Sequence, residues 1–189
     1  MANFKFIKTF IDDVYIIENK VFNDKRGYFM ESYNLREFVQ NELSKKFVQD
    51  NESKSRKGVL RGLHFQKKYP QGKLIRVIEG EVFDVAVDIR AKSKTLGQWI
   101  GVYLSEENKR QLYIPEGFAH GFLVVSDTAK FIYKCTEMYH PEDECGIIWN
   151  DADVNIHWPI NRVEEIILSE KDKKWKGLNT VINNYKEEI

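Results

Sequence analysis

The chain has 189 residues, 13% of them aromatic, and its 29 Lys and Arg balance 29 Asp and Glu. That length suits one domain, 1–189, with a core of its own. Zero net charge excludes a global field for nucleic acid or a membrane surface, so an anionic ligand must be met by a local cluster of cations.

The segment from Met1 to Asp13 carries Lys5, Lys8, Asp12 and Asp13 and lacks the apolar stretch of a signal peptide. No later run approaches membrane-spanning length. Asn34 to Leu43 reads as a helix, with Leu35, Phe38, Val39 and Leu43 on one face and Asn34 with Glu37 as an N-terminal capping pair. From Phe47 to Trp149 the dominant period is two. Phe83, Val85, Val87 and Ile89 alternate with Val82, Asp84, Ala86 and Asp88; Ala129, Phe131, Tyr133 and Cys135 alternate with Lys130, Ile132 and Lys134. Turn signals at Glu79-Gly80, Pro115-Glu116-Gly117, Ser126-Asp127 and His140-Pro141 separate the runs. Many short strands without intervening helices predict a mainly β, antiparallel double-sheet jelly roll with short flanking helices, whose interior can hold a small ligand. Ser169 to Trp175 reads as a short helix capped by Ser169. Cys135 and Cys145 are too few for a disulfide framework and lack zinc spacing. Unpaired thiols in a reducing compartment, and hence a soluble cytoplasmic protein, are expected.

Four features carry chemical potential. Val59 to Gln66 places Arg61 and His64 on one strand. Their odd offset sends them to opposite faces under strict alternation, unless Gly62 forms a bulge that brings them to one side. Pro115 to Gly121 has the P-x-G-x-x-H form of the second cupin motif, ending in His120. Where metal-binding cupins carry further ligands, this chain offers only His64, with Gln66 two positions on and Lys73 nearby. Two imidazoles beside an ammonium make a poor metal site, so none is expected. Lys73 is either a solvated strand-start lysine or a cation aimed into the barrel. Tyr133 is either core packing or an acid. Together a base, an acid and cations suit proton abstraction next to a carbonyl.

These features lie within longer strings: Phe22 to Phe29, Phe47 to Asn51, Val59 to Gln66, Gly80 to Arg90, Gln111 to Phe122, Ile148 to Asp151 and Leu168 to Asp172. In that order they resemble the dTDP-4-dehydrorhamnose 3,5-epimerases, from about Phe4 to Asp172. The resemblance implies a homodimeric cupin jelly roll that epimerises dTDP-4-dehydro-6-deoxy-D-glucose to dTDP-4-dehydro-L-rhamnose without a cofactor. It also implies roles: His64 as base with Asp172 as its partner, Tyr133 as acid on the opposite face, and Lys73 with Arg61 stabilising the enolate oxygen. Arg26, Glu31, Gln49, Asp50, Asn51, Arg61, Lys73, His120, Glu144 and Lys171 correspond to substrate-contacting positions. Ser169 and Asp172 also have capping spacing, which competes with but does not exclude the dyad. The rival readings are a single-site (C3 or C5) epimerase or ketoisomerase on a related nucleotide-linked 4-keto sugar, a metal-dependent cupin oxygenase or isomerase, and a non-catalytic sugar-binding jelly roll.

Overall fold

The computed structural model describes residues 2–43 and 45–186. In chain order the strands are β1 (Phe4–Lys8), β2 (Tyr15–Asn19), β3 (Phe22–Asp24), β4 (Gly27–Phe29), β5 (Gln49–Arg56), β6 (Leu60–Gln66), β7 (Lys73–Glu79), β8 (Glu81–Asp88), β9 (Trp99–Ser105), β10 (Gln111–Ile114), β11 (Phe118–Val124), β12 (Thr128–Cys135) and β13 (Glu144–Gly146). Helix α1 (Leu35–Gln40) precedes β5, and α2 (Leu178–Lys186) follows the last strand.

The strands form the expected antiparallel double-sheet jelly roll. One sheet has the order β1-β2-β10-β7-β12-β5, the other β13-β6-β11-β8-β9, and β3-β4 stands apart as a hairpin. Between the sheets, Ile75, Val77 and Phe131 pack on Val82, Val102, Leu104 and Phe122. The outer face of the five-stranded sheet is covered too: Phe83, Val85, Val87 and Leu63 pack against Val154, Trp158 and Leu178. This is why both alternating sets of β8 are buried. Its Val82, Phe83, Val85 and Val87 contribute on the order of 6–12 kcal/mol of apolar transfer at ~1.5–3 kcal/mol each, an upper bound. Asp84, fully buried on the same strand, is tolerated because it is paired with His120.

The helical ends depart from the sequence reading in instructive ways. Asn34 does cap α1, its side chain accepting from the backbone N–H of Arg36 and Glu37. Glu37 does not reach back to Asn34; its carboxylate accepts from the Asn3 N–H at 3.0 Å. The helix stops at Gln40, because Glu42 takes a left-handed φ of +67°. Phe38 and Leu43 are buried, whereas Leu35 and Val39 are 57% and 47% exposed. A helix of six residues presents too few turns to bury a four-residue stripe. Near the C-terminus, Ser169 to Trp175 is a 3-10 turn (Asp172–Lys174) rather than an α-helix. The α-helix lies beyond it. Its N-terminal N–H, on Leu178, is accepted by Asp151 Oδ2 at 3.0 Å. The sequence carried that signal in Leu178, Val181 and Ile182, spaced i, i+3, i+4, all of which pack on the sheet. Among the described residues, no helix is long and apolar enough to cross a membrane. Among the described residues Cys135 and Cys145 form no disulfide.

Candidate active site

Strands β5, β7 and β12 run in register, with Asn51 and Ile75 flanking Tyr133, and Gln49 and Lys73 flanking Cys135. Alternation therefore turns Gln49, Asn51, Ser53, Lys73 and Tyr133 toward the barrel interior. From the facing sheet come Arg61, His64 and His120. These eight residues, with Tyr139, Glu144 and Lys171, line a cavity of about 360 Å³.

Arg61 and His64 share this wall because β6 contains one extra residue. His120 pairs with His64, but Phe122, two residues on, pairs with Arg61, three residues back. This is the bulge that Gly62 was required to make. Its φ is +121°, and a Cβ there would meet Gly121 Cα at 2.5 Å and the His120 carbonyl at 2.7 Å. Only glycine fits that conformation at that approach.

His64 is half-buried, and its Nε2 lies 2.5 Å from Asp172 Oδ1. Asp172 is 2% exposed. Its Oδ1 also accepts from Trp175 Nε1 at 3.3 Å, and its Oδ2 from Ser169 Oγ at 2.8 Å. Ser169 Oγ in turn accepts the Asp172 N–H at 3.1 Å. A local Ser169–Asp172 turn and the dyad thus coexist, one carboxylate oxygen for each, but Ser169 caps no helix: Lys171 stands at the N-cap position of the 3-10 turn, without a side-chain cap bond. Burial raises the Asp172 carboxyl, but the bonds from His64, Ser169 and Trp175 outweigh it and hold the group below its usual value.

With Nε2 committed to Asp172, Nδ1 is the nitrogen of His64 left for chemistry. The opposite wall carries Tyr133. Burial pushes its phenol up to about 12, so it is protonated at neutral pH. Burial likewise pushes the Lys73 ammonium down, against the pull of Cys135, Asp84 and Glu144. Among the described residues neither the Tyr133 hydroxyl nor the Lys73 ammonium has a hydrogen-bond partner, so both are available to a ligand. The Arg61 guanidinium is held by Ser55 Oγ at 3.1 Å. Deeper in, His120 Nε2 sits 3.0 Å from both oxygens of Asp84, which is fully buried. Burial drives His120 toward the neutral form, although Asp84 opposes it. Glu144 receives Lys171 Nζ at 2.6 Å and the Tyr139 hydroxyl at 2.7 Å.

Three of the expected substrate contacts are not brought to this cavity. Asp50 alternates outward, is 71% exposed at its side chain and pairs with Lys134 Nζ at 3.0 Å. Arg26 stands at the tip of the β3-β4 hairpin, held by Asp24. Glu31 accepts from Asn3 Nδ2 at 2.8 Å, on the outer layer with α1. Conversely, Asp84 and Tyr139 were missed. A carboxylate between Val82 and Ala86 in an apolar strand was a signal for Asp84; Tyr139 lies in a loop and gave none.

A base on one wall, and a protonated phenol with a cation on the other, can remove a proton beside a carbonyl, hold the enolate and return a proton to the opposite face.

Comparison with known proteins points the same way. The family model described as dTDP-4-dehydrorhamnose 3,5-epimerase matches residues 8–180. A curated dTDP-4-dehydrorhamnose 3,5-epimerase from Methanothermobacter thermautotrophicus is 60% identical over 178 residues, 94% of this chain and 96% of that one. Another from Escherichia coli is 54% identical, covering 93% of this chain and 95% of its own length. Among solved structures, a dTDP-6-deoxy-D-glucose-3,5-epimerase from Legionella pneumophila in complex with dTDP-4-keto-L-rhamnose superposes with a TM-score of 0.92 at 51% identity, covering 96% of each chain.

Proposed function

Because the chain belongs to the dTDP-4-dehydrorhamnose 3,5-epimerase family, we propose that it inverts C3 and C5 of dTDP-4-dehydro-6-deoxy-D-glucose to give dTDP-4-dehydro-L-rhamnose. The observation that carries this reading is the placement of the His64–Asp172 pair and Tyr133 on opposite walls of one cavity, with Lys73 on the wall of Tyr133.

His64 Nδ1 takes the proton next to the C4 ketone. The electron pair moves onto the ketone oxygen, where the unpartnered Lys73 ammonium and Arg61 stabilise it. Each good donor at such an oxygen is worth ~3 kcal/mol or more. Tyr133 then delivers its proton to the other face of the same carbon, which inverts it. The ketone itself is the electron sink, so the chemistry calls for no cofactor. Gln49, Asn51, His120 and Glu144 supply polar contacts along the walls. Arg61 and Lys171 suit the diphosphate.

The homodimer belongs to this reading. Hairpin β3-β4 exposes Phe22, Tyr28 and Phe29 at 43%, 58% and 66%. A second copy that covered them would also carry Arg26 to a cavity other than its own, which gives Arg26 and Glu31 a route to substrate. Cys135 and Cys145, which form no disulfide among the described residues, fit a reducing, cytoplasmic setting.

The test is incubation with dTDP-4-dehydro-6-deoxy-D-glucose in deuterated water, followed at C3 and C5 by NMR. Deuterium at both positions, lost in His64→Ala, is expected. Uptake at one position reduces the chain to a single-site epimerase. Uptake undiminished in a folded His64→Ala variant overturns the base assignment.

A further inference from the structure

We propose that Glu144 relays protons between His64 and solvent, resetting the base between the two inversions. This rests on the reading of His64 as the base.

The proton balance demands that the base and the acid both be reset between the inversions. In each inversion a C–H bond breaks, its electron pair enters the enolate, and the proton bonds to His64 Nδ1. The Tyr133 O–H bond then breaks as its proton bonds to the carbon from the opposite face. One inversion therefore leaves an imidazolium and a phenolate. A second inversion on the same molecule cannot begin until Nδ1 has lost its proton and Tyr133 has regained one.

Asp172 cannot carry the proton away. It is buried, it faces the other ring nitrogen, and its second oxygen is engaged by Ser169. His120 is no outlet either, since it is buried against Asp84. Trp175, whose ring meets His64 edge-on, offers no free acceptor. Glu144 does. Its Oε1 lies 3.8 Å from His64 Nδ1, about 1 Å beyond hydrogen-bond length. Its Oε2 is bonded to Tyr139 and Lys171, whose side chains reach the outside: Tyr139 is 47% exposed and the Lys171 side chain 49%. Burial raises the Glu144 carboxyl, but Lys171, Tyr139 and His64 outweigh it, so it waits as a carboxylate. The proton passes from Nδ1 to Glu144 and from Glu144 to water at the Tyr139–Lys171 edge. Tyr133 regains one proton from solvent, which balances the one released through Glu144. No electron changes hands, and the enzyme returns to its starting state.

The experiment is single-turnover deuterium uptake in Glu144→Gln, which keeps the side chain's shape and loses its basicity. The second deuterium should be incorporated more slowly than the first by on the order of tenfold, so that singly labelled product accumulates. Added acetate should restore the second step, and equal ionic strength of chloride should not. Tyr139→Phe should show the same pattern with a smaller effect. Equal slowing of the first and second incorporations without acetate rescue would overturn the relay and leave Glu144 as a binding group. In that case loss of all uptake in His64→Ala would still uphold the base, whereas retained uptake there would sink the base assignment and the relay together.

Discussion

Replacing Asp172 with Asn removes a charge from His64 without removing an atom. Two outcomes are possible, and the structure chooses between them. If the new amide turned its NH2 toward Nε2, the ring would have to carry its proton on Nδ1 and could no longer act as a base; wrong-tautomer variants of this kind lose about 10⁴-fold in comparable triads. Here Oδ1 accepts from Trp175 Nε1 at 3.3 Å as well as facing His64. The other oxygen faces Ser169 Oγ, which can accept as readily as donate. The amide therefore keeps its oxygen on His64 and Trp175 and turns its NH2 to Ser169. Geometry and tautomer survive, and only the charge is lost. A hydrogen bond to a charged group is worth about 1.5–3 kcal/mol, so the rate of deuterium uptake should fall about 10- to 150-fold. Asp172→Ala, which also strands the Ser169 and Trp175 donors, should fall further. NMR-detected uptake at C3 and C5 measures all three proteins. A loss near 10⁴-fold in Asp172→Asn would refute the oriented-amide argument, and no loss would show that His64 does not sense the charge.

Lys73→Met should lower kcat by about 10²–10³-fold with a smaller change in KM, as for loss of one oxyanion donor; a raised KM at unchanged kcat would make Lys73 a binding group instead. Gly62→Ala places an L-residue at a φ of +121° with backbone atoms at 2.5 and 2.7 Å, and should cost about 3 kcal/mol or more in denaturant titration. Gly27→Ala, at a φ of +130° with nothing within 4 Å, should cost only the conformational ~1–2 kcal/mol, and equal costs would refute crowding at the bulge. Asp88 is fully buried and held below its usual value: burial raises it, but Arg90, Ser93 and Thr95 outweigh that. A depressed carboxyl contributes stability above its unfolded pKa of 3.8 that is lost as pH falls through the lower folded value. Asp88→Asn should therefore destabilise at pH 7 by about 1.5–3 kcal/mol, with the deficit shrinking below about pH 4; a deficit independent of pH would contradict the linkage.

The strands were legible because alternation is a local property. Phe131 and Tyr133 fell on one face, and the turns at Glu79-Gly80 and Ser126-Asp127 follow β7 and β11 where expected. The same periodicity also exposes Asp50: lying between Gln49 and Asn51 on one strand, it must face away from them. The resemblance grouped all three as contacts, and the structure of one copy separates them. The helical ends were less legible. Leu35 and Val39 fit a helical stripe yet stay exposed, because whether a stripe is buried depends on what lies opposite it.

Residue order alone determined the strand runs, the capping by Asn34, and the kinds of group available for chemistry. These depend on neighbours within a few bonds or one turn. Tertiary structure decided which groups meet. His64 and Asp172 are 108 residues apart, and Arg61 reaches the wall of His64 only because Gly62 adds a residue against β11. It also decided that Asp84 is a partner for His120 rather than an error in an apolar strand. Such pairings are set by the packing of two sheets, where burial makes an unpaired charge costly and a paired one stable, and no local window of sequence contains both sides of that balance.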